Sequence, residues 1–384
     1  MEKEPHKMEY EKPLLEEEED NIKKYLFPFD SKEINDLKEV IKNFPETIID
    51  FHSHAGPEEA VIAEENKIPE TYGDTFTYRE IGATFLHRAI LSGILTRQNL
   101  HKVYQVVMAF PFRETNVKKA NEWLLKETEG GGGFLPFLIL PPGNSLLEQT
   151  KKNLEAGSYF GIGEMHPEFV SPRAENIRGE KGYLSEESLE LANKQCLPIT
   201  IHLPTHLLNH IEEVKKFSID YPKLKIVLAH MGLAQVLTPR SKEALKEAVN
   251  LPNVYFDTST VTDKEVFAYV LKEAGAEKIL FASDAPFDAL KLEVRFMEGK
   301  MKIFSSQDLS GTEKTQEEMK RMLISSPEAL IEAIEEVYPE KNQTKLAREK
   351  IFYQNALKIL PRKLPPFREE WMYMENGIMT KHEI

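Results

Sequence analysis

The feature that most restricts what this chain can become is the run Ile48-Ile49-Asp50-Phe51-His52-Ser53-His54, which opens apolar and ends in two histidines one residue apart. On a β-strand, side chains at i and i+2 share a face. His52 and His54 are therefore expected side by side at a strand end, with both imidazoles free to grip one ion. A single His-x-His is weak in a chain with 11 histidines. It gains force because four later strand-like runs also end in metal-competent residues: Gly161-Ile162-Gly163-Glu164, Ile199-Thr200-Ile201-His202, Ile226-Val227-Leu228-Ala229-His230 and Ile279-Leu280-Phe281-Ala282-Ser283-Asp284. Polar residues at the C-terminal ends of successive parallel strands are how a (β/α)8 barrel assembles a site.

The pattern continues along the chain. Apolar runs of strand length are expected at 47–54, 103–110, 134–140, 159–165, 198–203, 224–230, 253–258 and 278–283. Helical spacing is expected at 79–96, 116–128, 145–156, 185–195, 206–218, 241–249 and 263–274. Eight strands alternating with helices predict parallel βαβ units. Functional residues at the strand ends favour closure into a barrel over an open sheet, and no Gly-x-Gly-x-x-Gly turn supports dinucleotide binding. The fold class expected is α/β, a (β/α)8 TIM barrel with an N-terminal arm and a helical C-terminal extension. Residues 1–45 read as a charged N-terminal extension, with helical spacing at Ile34, Leu37 and Ile41. The barrel domain is expected over 46–360 and a tail over 361–384. Helical segments are expected at Glu313–Ser325, Pro327–Val337 and Arg348–Leu360. The polar connection Gly56 to Tyr78 has the length of a lid or binding loop.

Composition narrows the class of function. With 384 residues, 41% hydrophobic and 29% charged, the chain reads as soluble and globular. No apolar run approaches the roughly 20 residues of a membrane span. Met1 to Asp20 lacks the apolar core of a signal peptide. The single cysteine, Cys196, excludes an internal disulfide, which points to the cytoplasm. A net charge of −14 gives no general attraction to nucleic acid. The expected partner is a small-molecule substrate, with neither nucleic acid nor membrane involved and homo-oligomers left open.

The chemistry follows from the donors. His52, His54, His202 and His230 offer imidazole nitrogens, and Glu164 and Asp284 offer carboxylates. This set suits Zn²⁺ first, with Mn²⁺, Fe²⁺ or Ni²⁺ as alternatives, as one ion or two. A catalytic metal lowers the pKa of a bound water, and a neighbouring carboxylate relays that water's proton to the leaving group. Asp284 is the candidate general base, although Ser-Asp before Ala-Pro is also a good helix start. His230 either ligates metal or polarises the scissile carbonyl. His166, in the loop past Glu164, and Arg113, after the second strand, are candidate substrate contacts, with a solvated histidine and a surface salt bridge as the plainer readings. Arg240 and His206 are weaker candidates still. Cys196 precedes a strand and reads as an inert buried thiol.

These pieces resemble the amidohydrolase superfamily, in its amidohydrolase-2 branch of metal-dependent barrel hydrolases and decarboxylases. The resemblance rests on Ile49-Asp50-Phe51-His52-Ser53-His54, Gly161-Ile162-Gly163-Glu164-Met165-His166-Pro167, Pro198-Ile199-Thr200-Ile201-His202, Val227-Leu228-Ala229-His230-Met231-Gly232, Val254-Tyr255-Phe256-Asp257-Thr258-Ser259 and Ile279-Leu280-Phe281-Ala282-Ser283-Asp284-Ala285-Pro286-Phe287. Gln354-Asn355-Ala356 resembles the closing helix of the family. The resemblance implies that His52, His54, His202 and Asp284 bind or serve the metal. It implies that His230 is a ligand of a second metal or a catalytic residue, and that Glu164 bridges two ions. The activity implied is hydrolysis of an amide, ester or lactone-like carbonyl. Non-oxidative decarboxylation of an aromatic or enol carboxylic acid is the alternative on the same scaffold. A TatD-type phosphodiesterase, which shares the Gly-Glu, and a metal-binding barrel without turnover are further readings.

Overall fold

The computed structural model describes residues 31–56, 102–111, 115–129, 133–140, 147–169, 173–179, 181–289, 291–297, 300–305, 319–365, 372–375 and 378–381. Eight parallel strands pair in sequence order: β1 (Thr47–His54), β2 (Lys102–Met108), β3 (Phe134–Leu138), β4 (Gly161–Met165), β5 (Pro198–Ile201), β6 (Lys225–Leu228), β7 (Val254–Asp257) and β8 (Ile279–Leu280). The last strand returns to the first. Phe51 N–H donates to Phe281 O at 2.9 Å, Asp284 N–H to His52 O at 2.8 Å and His54 N–H to Ala285 O at 2.7 Å. The (β/α)8 expectation holds. The strands are buried along almost their whole length, as parallel strands covered on both faces must be.

Four of the helices start where a side chain satisfies a free N–H group. Around the barrel run α1 (Ser31–Ile41), α2 (Val117–Thr128), α3 (Leu147–Glu155), α4 (Glu186–Lys194), α5 (Ile211–Asp220), α6 (Pro239–Ala248), α7 (Lys264–Ala274), α8 (Met322–Val337), α9 (Lys341–Glu349) and α10 (Asn355–Ile359). Asn116, Ser185, Thr238 and Asp263 cap α2, α4, α6 and α7. One core cluster lies between strands and helices and takes in Leu37, Val40, Ile41 and Phe44, so α1 packs on the barrel. A second cluster fills the interior. There Phe51 on β1 meets Phe137 on β3 edge to face at 5.5 Å, across the intervening β2, while Ala356 and Ile359 join from α10.

Several boundaries differ from the sequence reading. β6 stops at Leu228, and Ala229–Leu233 forms a tight turn in which His230, Met231 and Gly232 have φ near +55 to +65°. β8 is short because Phe281 to Ala285 bonds to β1 instead of continuing the ladder with β7. The helix expected at 206–218 is a 3₁₀ turn, Leu207–Asn209, followed by α5. The helices expected on either side of Ser326 are, in their described part, one helix that takes Pro327 within its first two turns. There the proline removes a single bond, and Ser326 Oγ instead donates to Thr258 O at 2.9 Å. The segment expected from Arg348 is already helical from Lys341 and passes through a π turn at Lys350–Gln354. Pairs of short strands at Asn176–Arg178 with Gly182–Leu184 and at Leu292–Met297 with Lys300–Ser305 carry no apolar run long enough to signal them. Cys196 is exposed rather than buried, because its left-handed φ of 57° ends the α4 connection and turns the side chain outward. The helix expected at 79–96 and nearly all of the 56–78 connection lie outside the described residues.

Closure depends on Asp50, fully buried in β1. Its carboxylate accepts from Ser283 N at 2.9 Å, Ser283 Oγ at 2.6 Å and Gln105 Nε2 at 3.0 Å. Burial pushes its pKa up to about 6, against the pull of those bonds. Removing the carboxylate leaves buried donors without an acceptor. Asp50→Ala is expected to lose about 2–4 kcal/mol of stability, read from denaturant midpoints.

A second tie lies on the flank. Glu213 on α5 accepts from Ile177 N and Arg178 N, each at 2.8 Å, and pairs with His210 at 3.5 Å. Burial raises its pKa, but His210 and the two amides outweigh that and hold it below the usual range. A carboxylate with a depressed folded pKa stabilises fully above its unfolded value and loses that contribution as pH falls through the folded one. The stability gap between the native protein and Glu213→Gln should therefore shrink from pH 7 toward pH 3, as read by thermal melting at each pH.

Candidate metal centre

All six residues expected at the site converge at the C-terminal end of the barrel. His52 and His54 emerge together from β1 with their Nε2 atoms 3.0 Å apart. A shift in the β1–β2 register between Asp50 and Ser53 brings the pair to the centre. Asp284 Oδ1 lies 3.5 Å from His52 Nε2 and 3.4 Å from His54 Nε2. Glu164 Oε2 is 3.8 Å from His52 Nε2 and 3.6 Å from His54 Nε2, while its Oε1 is 3.7 Å from His230 Nε2. Two groups of potential ligand atoms result, each mutually within 4.8 Å: His52, His54 and Glu164, and Glu164, His202 and His230. Glu164 belongs to both. His202 thus groups with His230 rather than with the β1 pair.

Glu164 reaches this position through Gly163. A Cβ there would come within 2.8 Å of the Thr200 Cβ and 2.9 Å of the Thr200 carbonyl oxygen, and φ is +140°. Only glycine lets β4 press so closely on β5.

The hydrogen bonds at the far side of each ring matter as much as the distances. His52 Nδ1 lies 2.8 Å from Asp257 Oδ2, His202 Nδ1 2.8 Å from Leu203 O, His54 Nδ1 3.4 Å from Ala109 O and His230 Nδ1 2.9 Å from Ser259 Oγ. An oxygen acceptor at Nδ1 fixes the proton there and leaves the Nε2 lone pair for the centre. Oriented imidazoles of this kind are what a metal site requires. Glu164 Oε1 is buried and has no hydrogen-bond partner among the described residues. An orphaned carboxylate oxygen facing imidazole lone pairs fits a divalent cation, and the residues present suit one.

The electrostatics agree. Burial lowers the pKa of His52, but Glu164, Asp257 and Asp284 outweigh it and push it up to about 10. Burial drives His54 down, helped by the charge on His52, and drives His202 well down, helped by His166 and His230. Burial also pushes Glu164 up to about 8, with Asp284 and Asp257 adding to the rise against His52. Three carboxylates converge on His52 in this dry place, and without a metal a proton on His52 answers them; a divalent cation would take the place of that proton and free its Nε2 lone pair.

The other candidates fare differently. His166 stacks on His202, ring centres 4.2 Å apart, and its Nδ1 accepts from Glu168 N at 3.2 Å. Burial, with Arg173 next, lowers its pKa to about 3, so it stands neutral beside the cluster. Arg113 lies outside the described residues. His206 caps the 3₁₀ turn through Leu208 N at 3.1 Å, and exposed Arg240 donates to Asn209 Oδ1 at 2.9 Å. Neither contacts the four imidazoles among the described residues. Phe110 and Phe287 flank His54, each ring centre 5.7 Å from it. Sequence reasoning assigned no role to Asp257 or Asp50, although a carboxylate inside an apolar run is itself a signal, since burial demands partners for it.

Comparison with known proteins agrees with this geometry. Among curated proteins none matches the chain. Among solved structures, an amidohydrolase from Burkholderia multivorans with bound HEPES is 12% identical, with a TM-score of 0.53 over 82% of this chain and 98% of that one. The same protein with bound zinc gives a TM-score of 0.50 at 12% identity over the same shares. 5-Carboxyvanillate decarboxylase from Sphingomonas paucimobilis is 11% identical over 82% of this chain and 99% of its own, with a TM-score of 0.49. At these identities the likeness concerns the fold. The family model described as amidohydrolase, of the amidohydrolase-2 type, matches residues 49–362, from within β1 to just beyond α10. With that match running over most of its length, the chain belongs to the amidohydrolase family of enzymes, in the amidohydrolase-2 branch.

Proposed function

We propose that this protein is a metal-dependent hydrolase of a small-molecule amide, ester or lactone-like carbonyl. The observation that carries the reading is the set of four imidazoles, each tied at Nδ1, with Glu164 grouped with all four and Asp284 beside the β1 pair. His52, His54 and Asp284 would hold one ion and His202 and His230 a second, with Glu164 shared between them. Nitrogen-rich donors with carboxylates favour zinc, the ion bound by the Burkholderia amidohydrolase. What a divalent ion supplies there is Lewis-acid activation of a carbonyl and of water.

The protein's own groups divide the remaining work. Asp284, within 3.5 Å of both β1 histidines, takes the proton of the attacking water and passes it to the leaving group. His166, neutral and stacked on His202, can accept or donate a hydrogen bond to bound substrate without bringing charge. Phe110 and Phe287 give the His54 side an apolar wall that excludes water. Burial of the whole cluster strengthens each of these interactions.

Metal titration of metal-free protein should give a stoichiometry of two, with activity rising as the second ion binds. Full activity at a stoichiometry of one would remove the bridging role from Glu164 and return His230 to polarising the carbonyl.

Asp284→Asn should keep the fold and lose turnover by a factor of about 10²–10⁴, because an amide cannot relay the proton. Hydrolysis predicts that oxygen from labelled water enters the product. Deuterium at carbon in place of a lost carboxylate, with no labelled oxygen incorporated, would instead assign decarboxylation. Turnover of Asp284→Asn at the native rate would exclude Asp284 as the base.

A further inference from the structure

The buried carboxylate of Asp257, at the end of β7, has no part in the chemistry described above. It is wholly inaccessible to solvent. One oxygen, Oδ2, takes the Nδ1 proton of His52 at 2.8 Å. The other, Oδ1, accepts from three donors: His230 N at 2.8 Å, Ser259 N at 3.2 Å and Ser259 Oγ at 2.6 Å. That hydroxyl, having given its proton to Asp257, accepts from His230 Nδ1 at 2.9 Å. A single carboxylate therefore holds the ring of His52 directly and holds His230 twice, through its backbone and through Ser259. His52 and His230 belong to different ligand groups, joined otherwise by Glu164.

We infer that Asp257 is a positioning residue shared by both ligand groups, orienting His52 in one and His230 in the other. The inference rests on the metal reading proposed above. Burial alone does not require this arrangement. A carboxylate needed only to join β6 and β7 would be satisfied by the backbone amides it already accepts. Instead one full oxygen is given to a histidine of β1, on the far side of the barrel's closure. The left-handed backbone of His230, with φ of 55°, is fixed by its amide bond to the same group. An asparagine cannot replace it, because its amide presents an acceptor to one histidine and a donor to the N–H groups of the other.

The test is equilibrium titration of metal-free native, Asp257→Asn and Ser259→Ala proteins with Zn²⁺ and with Co²⁺, following the Co²⁺ d–d absorption. Circular dichroism melts check the fold. Asp257→Asn should bind each ion about 10–100-fold more weakly, the usual cost of losing a partner behind a ligand, with an altered Co²⁺ spectrum. Ser259→Ala should weaken the second ion more than the first, since its hydroxyl holds the ring of His230 directly and reaches His52 only through Asp257. Native affinities and an unchanged spectrum in Asp257→Asn overturn the inference while the metal reading stands. A native protein that binds no divalent ion overturns the metal reading and this inference with it. If Asp257→Asn does not fold, Ser259→Ala decides, and native affinity for both ions in that variant overturns the inference.

Discussion

Everything at the candidate centre depends on β1 being held against the segment that follows β8. β1 carries His52 and His54, and that segment carries Asp284, yet they are more than two hundred residues apart in sequence. Three backbone bonds and the Asp50–Ser283 pair bring them together. The cost is a fully buried carboxylate, which burial disfavours and only hydrogen bonds can compensate. The position of Asp50 explains why the protein accepts that cost. It is two residues before His52, and its partner Ser283 is one before Asp284. The clamp that closes the barrel therefore also sets the distance between the first histidine pair and the proposed base.

The fold was legible because a closed parallel barrel leaves a strong mark. Strands buried on both faces read as short apolar runs, and the helices between them carry caps such as Asn116, Ser185 and Thr238. The ligand candidates were legible for the same reason, since each lies at or just past the end of such a run. Their exact backbone was not. His230 lies two residues past β6 and Asp284 four past β8, both with positive φ, and nothing in an apolar run says where extended backbone gives way to a turn. Whether His202 joins the β1 pair or joins His230 about Glu164 was left open, because strand order fixes neighbours but not the direction in which each imidazole leans; the distances favour the second grouping. Asp257 and Asp50 were read as parts of strands. Their roles depend on partners two hundred residues away, which spacing cannot reveal.

The Cys196 reading failed for a local reason of the same kind. Proximity to a strand suggested burial, but one left-handed residue after α4 rotates the side chain to solvent. Dihedral choices at single positions decide such outcomes, and side chains other than glycine seldom announce them. The short strand pair at 176–184 escaped because it is held by Glu213 of α5, beyond α4 and β5 in the chain, rather than by any pattern of its own.

Strain and function meet in this chain at the strand ends. His230, Met231, Leu233, Thr260 and Asp284 are all non-glycine residues with positive φ, and each such residue costs of order 1 kcal/mol or more unless its surroundings enforce it. Each has a visible constraint, Thr260 through Gln235 Nε2, which donates to its Oγ1 at 2.6 Å. Asp257 fixes the amide of His230, Met231 and Leu233 continue the same turn, and the bond from Asp284 N to His52 O holds Asp284. Two of the residues so constrained are the candidate ligands at the ends of β6 and β8. On extended backbone these side chains would stand perpendicular to the sheet, on a face set only by alternation along the strand. The left-handed turn redirects them inward, across the barrel mouth, where Glu164 and the β1 histidines already stand. The strain is therefore the means by which separate strand ends become one centre, and the buried carboxylates Asp50 and Asp257 are what keep it in place.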